Sequence, residues 1–309
     1  MTIQQLEYIV ALDNRRHFVK AATDCFVTQP TLTMQVHKLE EEMGVKLFDR
    51  GKKPLEPTRA GEVIILKARQ ILREMREMKA FVQSETESLV GEFRVGIIPT
   101  LAPYLLPLFI KDFATSNPET LLRIQELQTE VILDKLKSDM LDIAILVTPL
   151  NDNYIREIPI FYEPFLLYTH PGHSLYNKKG IDIDLLDEHG LLLLNEGHCF
   201  REQALNICQA KKGRQFMGID YQIGSIEALI NMVDRGLGYT LVPELAIEQK
   251  EPSPRVCRFV LPEPVREVSI VVHNSFTKEK LIGELHRCIL KNIPKSFSTK
   301  QKQYRVQWR

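Results

Sequence analysis

Long apolar runs are missing from this 309-residue sequence, and no stretch supplies the roughly 20 apolar residues that a membrane-spanning helix needs. A basic segment followed by an apolar one is missing from the N-terminus as well. Met1-Thr2-Ile3-Gln4-Gln5-Leu6-Glu7 reads directly as an amphipathic helix, so neither an export signal nor a membrane partner is expected, and a cytoplasmic protein is. Cysteine is sparse and odd in number: Cys25, Cys199, Cys208, Cys257 and Cys288, without secretory context, argue against a structural disulfide framework. No Cys-x-x-Cys or His-x-x-x-His spacing occurs, so no metal site and no resident cofactor are expected. Net charge is missing too, with 40 Lys and Arg against 40 Asp and Glu. A sum of zero is weak support for a nucleic-acid binder, but distribution matters more than the sum. Residues 1–59 hold nine basic against eight acidic residues; residues 291–309 hold six basic residues and no acid.

What remains is the composition of an ordinary globular chain, 44% hydrophobic and 26% charged, long enough for two or three domains. Residues 1–58 read as three short helices and a hairpin. Leu6, Ile9, Val10 and Leu12 form one apolar face, and Phe18, Ala21 and Ala22 sit on a second helix, His17 to Cys25. Thr28-Gln29-Pro30-Thr31 supplies a hydroxyl cap with proline in the first turn. Leu32, Val36, Leu39 and Met43 then mark one stripe of a third helix that Gly44 stops. Val45 to Thr58 predicts two strands around a basic turn. A long helix follows through residues 59–90, in which Ile64, Ala68, Ile71, Met75, Met78 and Val82 alternate in steps of four and three. That heptad seam implies a coiled-coil partner, most simply a second copy of the chain.

Beyond Gly91, strands alternate with helices: strands at Phe93–Pro99, Leu121–Leu127, Leu141–Val147, Phe165–Thr169, Leu191–Asn195, Tyr221–Ile223, Tyr239–Val242 and Val268–Val272, with helices between them. This predicts α/β layers around parallel sheets. The late return of a strand predicts two lobes, the first at about 91–162 and 265–292, the second at about 163–264, with 293–309 left as a basic tail.

Three groups of residues carry chemistry. The face of the third helix opposite its apolar stripe exposes Gln29, Pro30, Thr31, Met34, Gln35 and Lys38, and the turn carries Arg50, Lys52 and Lys53. Glutamine can pair with adenine, threonine can touch a base edge, and lysine can reach phosphate. The bland alternative is a three-helix cap with a solvated polar face. In the second group, Cys199 lies between His198 and Arg201 at what reads as the first turn of a helix, where positive neighbours and the helix dipole favour thiolate. A thiolate is the form that attacks peroxide. If one helix joined Cys199 to Cys208, the two would stand roughly 13 Å apart along its axis. A disulfide needs Cα atoms about 4.4–6.8 Å apart, so bonding would require that helix to be lost. The alternative is that both are small buried hydrophobes. The third group is the tail, Lys291 to Arg309 with Phe297, Tyr304 and Trp308, expected to be solvated unless it touches DNA phosphates.

The run Leu6-Glu7-Tyr8, His17-Phe18, Ala21-Ala22, Thr28-Gln29-Pro30-Thr31-Leu32-Thr33, Lys38-Leu39-Glu40, Gly44-Val45-Lys46-Leu47-Phe48-Asp49-Arg50 and Thr58-Arg59-Ala60-Gly61 closely resembles the winged helix-turn-helix of LysR-type transcriptional regulators. The resemblance implies a dimerising linker helix at 59–90, a two-lobed effector domain of the periplasmic-binding-protein type built from two Rossmann-like subdomains, a homotetramer, promoter DNA as partner and contact with RNA polymerase. Gly197-His198-Cys199-Phe200-Arg201-Glu202-Gln203-Ala204 with Cys208 is similar to the peroxide-sensing members of that class, as are Gly96-Ile97-Ile98-Pro99-Thr100, Pro103-Tyr104-Leu105-Leu106-Pro107, Glu126-Leu127-Gln128-Thr129 and Ser225-Ile226-Glu227-Ala228-Leu229. By that resemblance Cys199 is the thiol that meets hydrogen peroxide and Cys208 the one that resolves it into a disulfide. Thr100, Thr129, His198 and Arg266 line the pocket, and glutaredoxin or thioredoxin restores the thiols. Capping of helices is the competing reading of Thr100 and Thr129. Gln209 to Asp220 departs from the pattern, being longer and more basic. The chain is expected not to be an enzyme. The rival functions are a LysR-type regulator that binds a metabolite in its cleft and a thiol peroxidase with an accessory helical domain.

Overall fold

A computed structural model of the chain describes residues 1–83, 89–186, 190–208, 222–248, 253–298 and 303–307. The segment 209–221, in which the sequence departs from the family pattern, and Trp308 lie outside these. The chain divides into two units, Met1–Glu87 and Ser88–Arg309.

In the first unit, α1 (Ile3–Arg15), α2 (Phe18–Asp24) and α3 (Gln29–Met43) pack around Leu6, Ile9, Leu12, Ala21, Ala22, Leu32, Val36 and Leu39. Their ends follow from local chemistry. Thr2 and Gln5 form a reciprocal capping box on α1. Thr28 caps α3, and Gly44 ends it at φ +67°, where a side chain would be strained. The short antiparallel pair β1 (Phe48–Asp49) and β2 (Glu56–Pro57) makes the wing.

The long helix α4 runs Arg59–Gln83, and its first turns are engaged within the unit. Ala68 is buried in the unit's own core beside Ile65, with Ile64 and Leu72 packed against it. Arg69 binds Asp13 of α1 at 2.7 Å and Asn14 at 2.5 Å. The first turns of the seam therefore pack on the unit's own core. Among the described side chains of α4 the exposed apolar ones are Val63, Leu66, Ile71 and Met78; that of Val82 is not described.

The second unit is built on one curved path of strands. It contains β3 (Gly91–Ile97), α5 (Ala102–Ser116), β4 (Thr120–Glu126), α6 (Thr129–Lys137), β5 (Ile143–Thr148), β6 (Ile155–Tyr168), α7 (Cys199–Ile207), α8 (Ile226–Asp234), β7 (Thr240–Pro243), α9 (Leu245–Glu248), β8 (Val256–Cys257), β9 (Glu263–His273), α10 (Glu279–Asn292) and β10 (Gln303–Arg305). Strand order is β4-β3-β5-β9-β6-β7, with β8 beside β6 and β10 beside β9. Parallel pairs β3–β4 and β3–β5 give way to the antiparallel pairs β5–β9 and β9–β6.

Two separate cores result. Phe161 and Val268 belong to the first, Phe165 and Phe259 to the second. The long strands β6 and β9 thus carry the chain across between two α/β lobes. The sequence reading saw only the far ends of these strands, Phe165–Thr169 and Val268–Val272. Pro159, at a bulge in the β6–β9 ladder, and Pro164 interrupt the strand signal. Leu191–Asn195 is not a strand but one isolated bridge, Leu191 to Tyr239. The basic tail is corrected as well: Phe297 is buried and stacks on Phe161, and residues 303–305 add a strand to the sheet.

Candidate functional site

Cys199 is the first residue of α7 and Thr129 the first residue of α6. Two helix N-termini therefore approach each other. Gly197 permits this: at φ +90° it faces the Gln128 side chain, and a Cβ there would lie 2.7 Å from Gln128 Nε2. Neither N-cap, His198 or Gln128, makes a side-chain capping bond, so the first-turn N–H groups are left to whatever occupies the space between.

Around this point the fold assembles Thr100, Thr129, Cys199 and Arg266, all buried. Arg266 is held rigidly. Its Nε donates to Glu163 Oε2 at 2.8 Å, Nη1 to Thr100 Oγ1 at 3.0 Å and Nη2 to the Thr100 carbonyl at 3.0 Å, and its guanidinium lies 5.6 Å from the Phe200 ring centroid. Glu163 is fully buried and also accepts from the Leu245 N–H at 3.0 Å. Burial pushes its carboxyl up, and the charge of Arg266 pulls the other way. Thr129 does not cap its helix. Its Oγ1 is buried and makes no hydrogen bond, and it lies near enough to the Cys199 sulfur to favour thiolate. Thr100 is occupied by Arg266, so capping is excluded as the role of either hydroxyl.

The charge state of Cys199 differs from the sequence expectation. Burial pushes the thiol up, and it outweighs the Arg266 charge, the Thr129 hydroxyl and the N–H groups of Phe200 and Cys199, all of which favour thiolate. His198, nearly buried, is pushed down by desolvation, so its imidazole is neutral and supplies no positive charge. Arg201 turns away, donating to the Leu194 carbonyl at 2.8 Å. The resting site holds a neutral thiol beside preplaced groups that would stabilise an anion.

Cys208 caps the opposite end of α7, and neither thiol is in a disulfide. Cys199 is part of the first core, while Phe200, Ala204, Ile207 and Cys208 are part of the second. Sequence reasoning missed Glu163 and the lobe-to-lobe bond from the Tyr104 hydroxyl to Glu227. A signal for Glu163 was present, a lone acid in an otherwise apolar strand that demands a buried partner. Cys257 and Cys288 are buried and Cys25 is half-buried.

In the first unit, α3 exposes Gln29, Pro30, Met34 and Lys38 along a shallow groove that also includes Thr33, His37 and Glu41. Thr31 bonds Thr28 Oγ1 at 2.8 Å, and Gln35 Oε1 accepts from Gln5 Nε2 at 3.3 Å, so both are partly engaged. Arg50 donates to the buried Glu40 at 3.2 Å, and Glu40 also accepts from the Leu47 N–H at 2.8 Å. Arg50 thus anchors the wing. Lys52 pairs with Glu56 at 2.5 Å, and Lys53 is exposed. Among the described residues no helix is long and apolar enough to cross a membrane, and no group of three or more His, Cys, Asp or Glu is arranged for a metal ion.

Residues 3–62 match the family model for the bacterial regulatory helix-turn-helix protein, lysR family, and residues 86–293 match that for the LysR substrate binding domain. The hydrogen peroxide-inducible genes activator of Dickeya chrysanthemi is 38% identical over 88% of this chain and 89% of its own length. The DNA-binding transcriptional dual regulator OxyR of Escherichia coli is 37% identical, with the same two shares at 88% and 89%. A full-length OxyR from Pseudomonas aeruginosa, with a cysteine changed to aspartate, superposes with a TM-score of 0.82 at 34% identity, covering 95% of this chain and 99% of that one. A cysteine variant of OxyR from Corynebacterium glutamicum with hydrogen peroxide bound gives 0.61 at 27% identity, covering 94% of each. The chain belongs to the LysR family of bacterial helix-turn-helix regulators and, within it, to the group of hydrogen peroxide-inducible genes activators, OxyR.

Proposed function

We propose that this chain is a redox-sensing, DNA-binding transcriptional regulator in which hydrogen peroxide oxidises Cys199 and a disulfide with Cys208 switches the effector lobes. One observation carries the reading: two buried thiols, not joined in a disulfide, sit at opposite ends of a single helix, each in a different core, with the first at the meeting point of two helix N-termini. Peroxide entering beside Cys199 would take hydrogen bonds from Thr129 and from the first-turn N–H groups. Thr100 and Arg266 back the site. Loss of the thiol proton gives the nucleophile; its attack breaks the O–O bond, leaves sulfur as sulfenic acid and releases hydroxide, which the preplaced donors stabilise. Cys208 then displaces water from the sulfenic sulfur to form the disulfide. Two thiols of glutaredoxin or thioredoxin would reverse it. One peroxide is consumed per switching event, so the chain is a sensor rather than an enzyme.

The remaining parts follow. Residues 1–58 bind promoter DNA through Gln29, Thr31, Met34, Gln35 and Lys38, with Lys52 and Lys53 of the wing near phosphate. Helix α4 joins two copies, two such dimers form a tetramer, and the switched assembly engages RNA polymerase in the cytoplasm. The test is thiol mapping before and after stoichiometric peroxide, run beside DNA footprinting. A Cys199–Cys208 peptide together with an altered footprint is expected. A full response by Cys199→Ser would overturn the reading in favour of a metabolite-binding regulator.

A further inference from the structure

The C-terminal strand is attached to the same helix that separates the two thiols. Residues 303–305 run parallel to Glu263–Val265, and the Val306 N–H donates to the Val265 carbonyl at 2.9 Å. Val306 is fully buried in the second core. Arg305 Nη1 donates to Glu267 Oε2 at 2.9 Å, and the same carboxylate is held by Thr148 and Tyr162. From the other side, α7 reaches the strand twice. Gln203 Nε2 donates to the Val306 carbonyl at 3.0 Å and Asn206 Nδ2 to the Gln307 carbonyl at 2.8 Å. Gln203 and Asn206 are three residues apart, on one face of the helix.

We propose that this strand is a clasp on α7, with Gln203 and Asn206 as positioning residues for disulfide formation. The inference rests on the reading given under Proposed function. Cys199 and Cys208 are about 13 Å apart along an intact helix, and a disulfide allows Cα atoms only about 4.4–6.8 Å apart. The turns between them must unwind, and those turns carry both donors to the strand. Condensation of the Cys199 sulfenic acid with the Cys208 thiol, which releases water and needs no oxidant beyond the peroxide already consumed, therefore breaks both bonds. The strength of the clasp sets how fast Cys208 reaches the oxidised sulfur and leaves the first reaction with peroxide untouched. A freed strand also uncovers the Glu263–Val265 edge of β9, so oxidation is felt at the strand shared by both lobes.

Hydrogen exchange at the C-terminal peptide of the full chain tests this, with the disulfide mapped in the same samples. The amide of Val306 is expected to be protected in the reduced protein, exposed once the disulfide forms, and protected in Cys208→Ser after the same peroxide dose. A mapped disulfide with protection retained overturns the clasp. Absence of any disulfide overturns the functional reading and the clasp with it. Kinetics give a second readout. Asn206→Ala, at an exposed position, should speed disulfide formation about fivefold, the factor that one lost hydrogen bond carries. Sulfenic acid formation, measured in a Cys208→Ser background, should keep its rate. Equal changes in both steps, or none in either, would reduce these side chains to ordinary packing and overturn the proposal.

Discussion

Cys199 opens the nine-residue helix α7 and Cys208 caps its far end, so that one helix ties the first core to the second. A bond between the two sulfurs cannot form with that helix intact. Chemistry at one thiol thereby becomes mechanical work on the seam between lobes. Removing either thiol should separate the chemical step from the mechanical one. In Cys208→Ser, peroxide should leave sulfenic acid at Cys199, trapped as one dimedone adduct per chain by mass spectrometry, with the DNA footprint unchanged. In Cys199→Ser no adduct should form there. A normal footprint change in Cys208→Ser would mean that the disulfide is not the switch.

Thr129 makes a sharper case than the cysteines, because its hydroxyl has so little else to do. It is buried, uninvolved in capping, without a hydrogen bond and close to the Cys199 sulfur. Thr129→Val preserves shape and removes only the donor. The second-order rate of Cys199 with peroxide should fall about 100-fold, the scale of losing one donor to a developing anion, while the urea midpoint hardly moves. An unchanged rate would remove Thr129 from the pocket.

The raised thiol of Cys199 has a consequence for stability with a definite sign. Its folded-state pKa lies above its unfolded one because burial disfavours thiolate. Between the two values the folded chain holds a proton that the unfolded chain has lost, so stability falls as pH rises through that window. The window begins near the ordinary thiol range, at about pH 8.5. Urea midpoints of wild type and Cys199→Ser should therefore converge or cross between pH 8 and pH 10, with wild type losing more. His198 acts at the other end. Its depressed pKa withholds a proton that the unfolded chain binds, so its contribution is lost as pH falls below about 6.5.

Much of this is legible in the sequence. The capping threonine, Pro30 and Gly44 bound α3 because each acts within one turn, and local chemistry is what a sequence writes down most directly. The pair Cys199 and Cys208 was legible as a conflict of spacing for the same reason. Long-range partnerships were not. Glu163 and Arg266 are 103 residues apart, and only the crossing of β6 with β9 brings them together. The thiol's charge state was misread because burial, a tertiary property, outweighed the neighbours that the sequence could see. The tail was misread because a short basic strand has no pattern of its own; what holds it is the edge of β9 and the side chains of α7.

Arg266 and Glu163 form a fully desolvated ion pair with a shortest contact of 2.7 Å. Removing one partner leaves the other charge buried, at a cost of about 3–5 kcal/mol. Arg266→Met and Glu163→Gln should each lower the urea-derived unfolding free energy by an amount of that order. The double variant should recover a large part of the loss, since two matched neutral groups need no compensating charge. Peroxide sensitivity should not recover with it, because Thr100 loses its anchor and the nascent anion its cation. Strict additivity of the two losses would show that the pair acts as two independent residues.

On the DNA-binding unit, two basic side chains that look alike in sequence should behave differently. Lys38 is exposed on the groove of α3, whereas Arg50 is committed to Glu40, which is buried and supports the wing through the Leu47 and Phe48 N–H groups. Lys38→Ala should weaken promoter binding and reduce the slope of log affinity against log salt by about one, the signature of one lost phosphate contact, with the unit's melting temperature unchanged. Glu40→Ala should do the reverse. It strands two buried N–H donors, destabilises the unit by about 1–3 kcal/mol and frees Arg50, so the salt slope stays the same or steepens while the fold weakens. Fluorescence anisotropy across a salt series, paired with thermal melts of the same variants, separates the two roles. A flat salt slope difference for Lys38→Ala would take that lysine off the phosphate backbone.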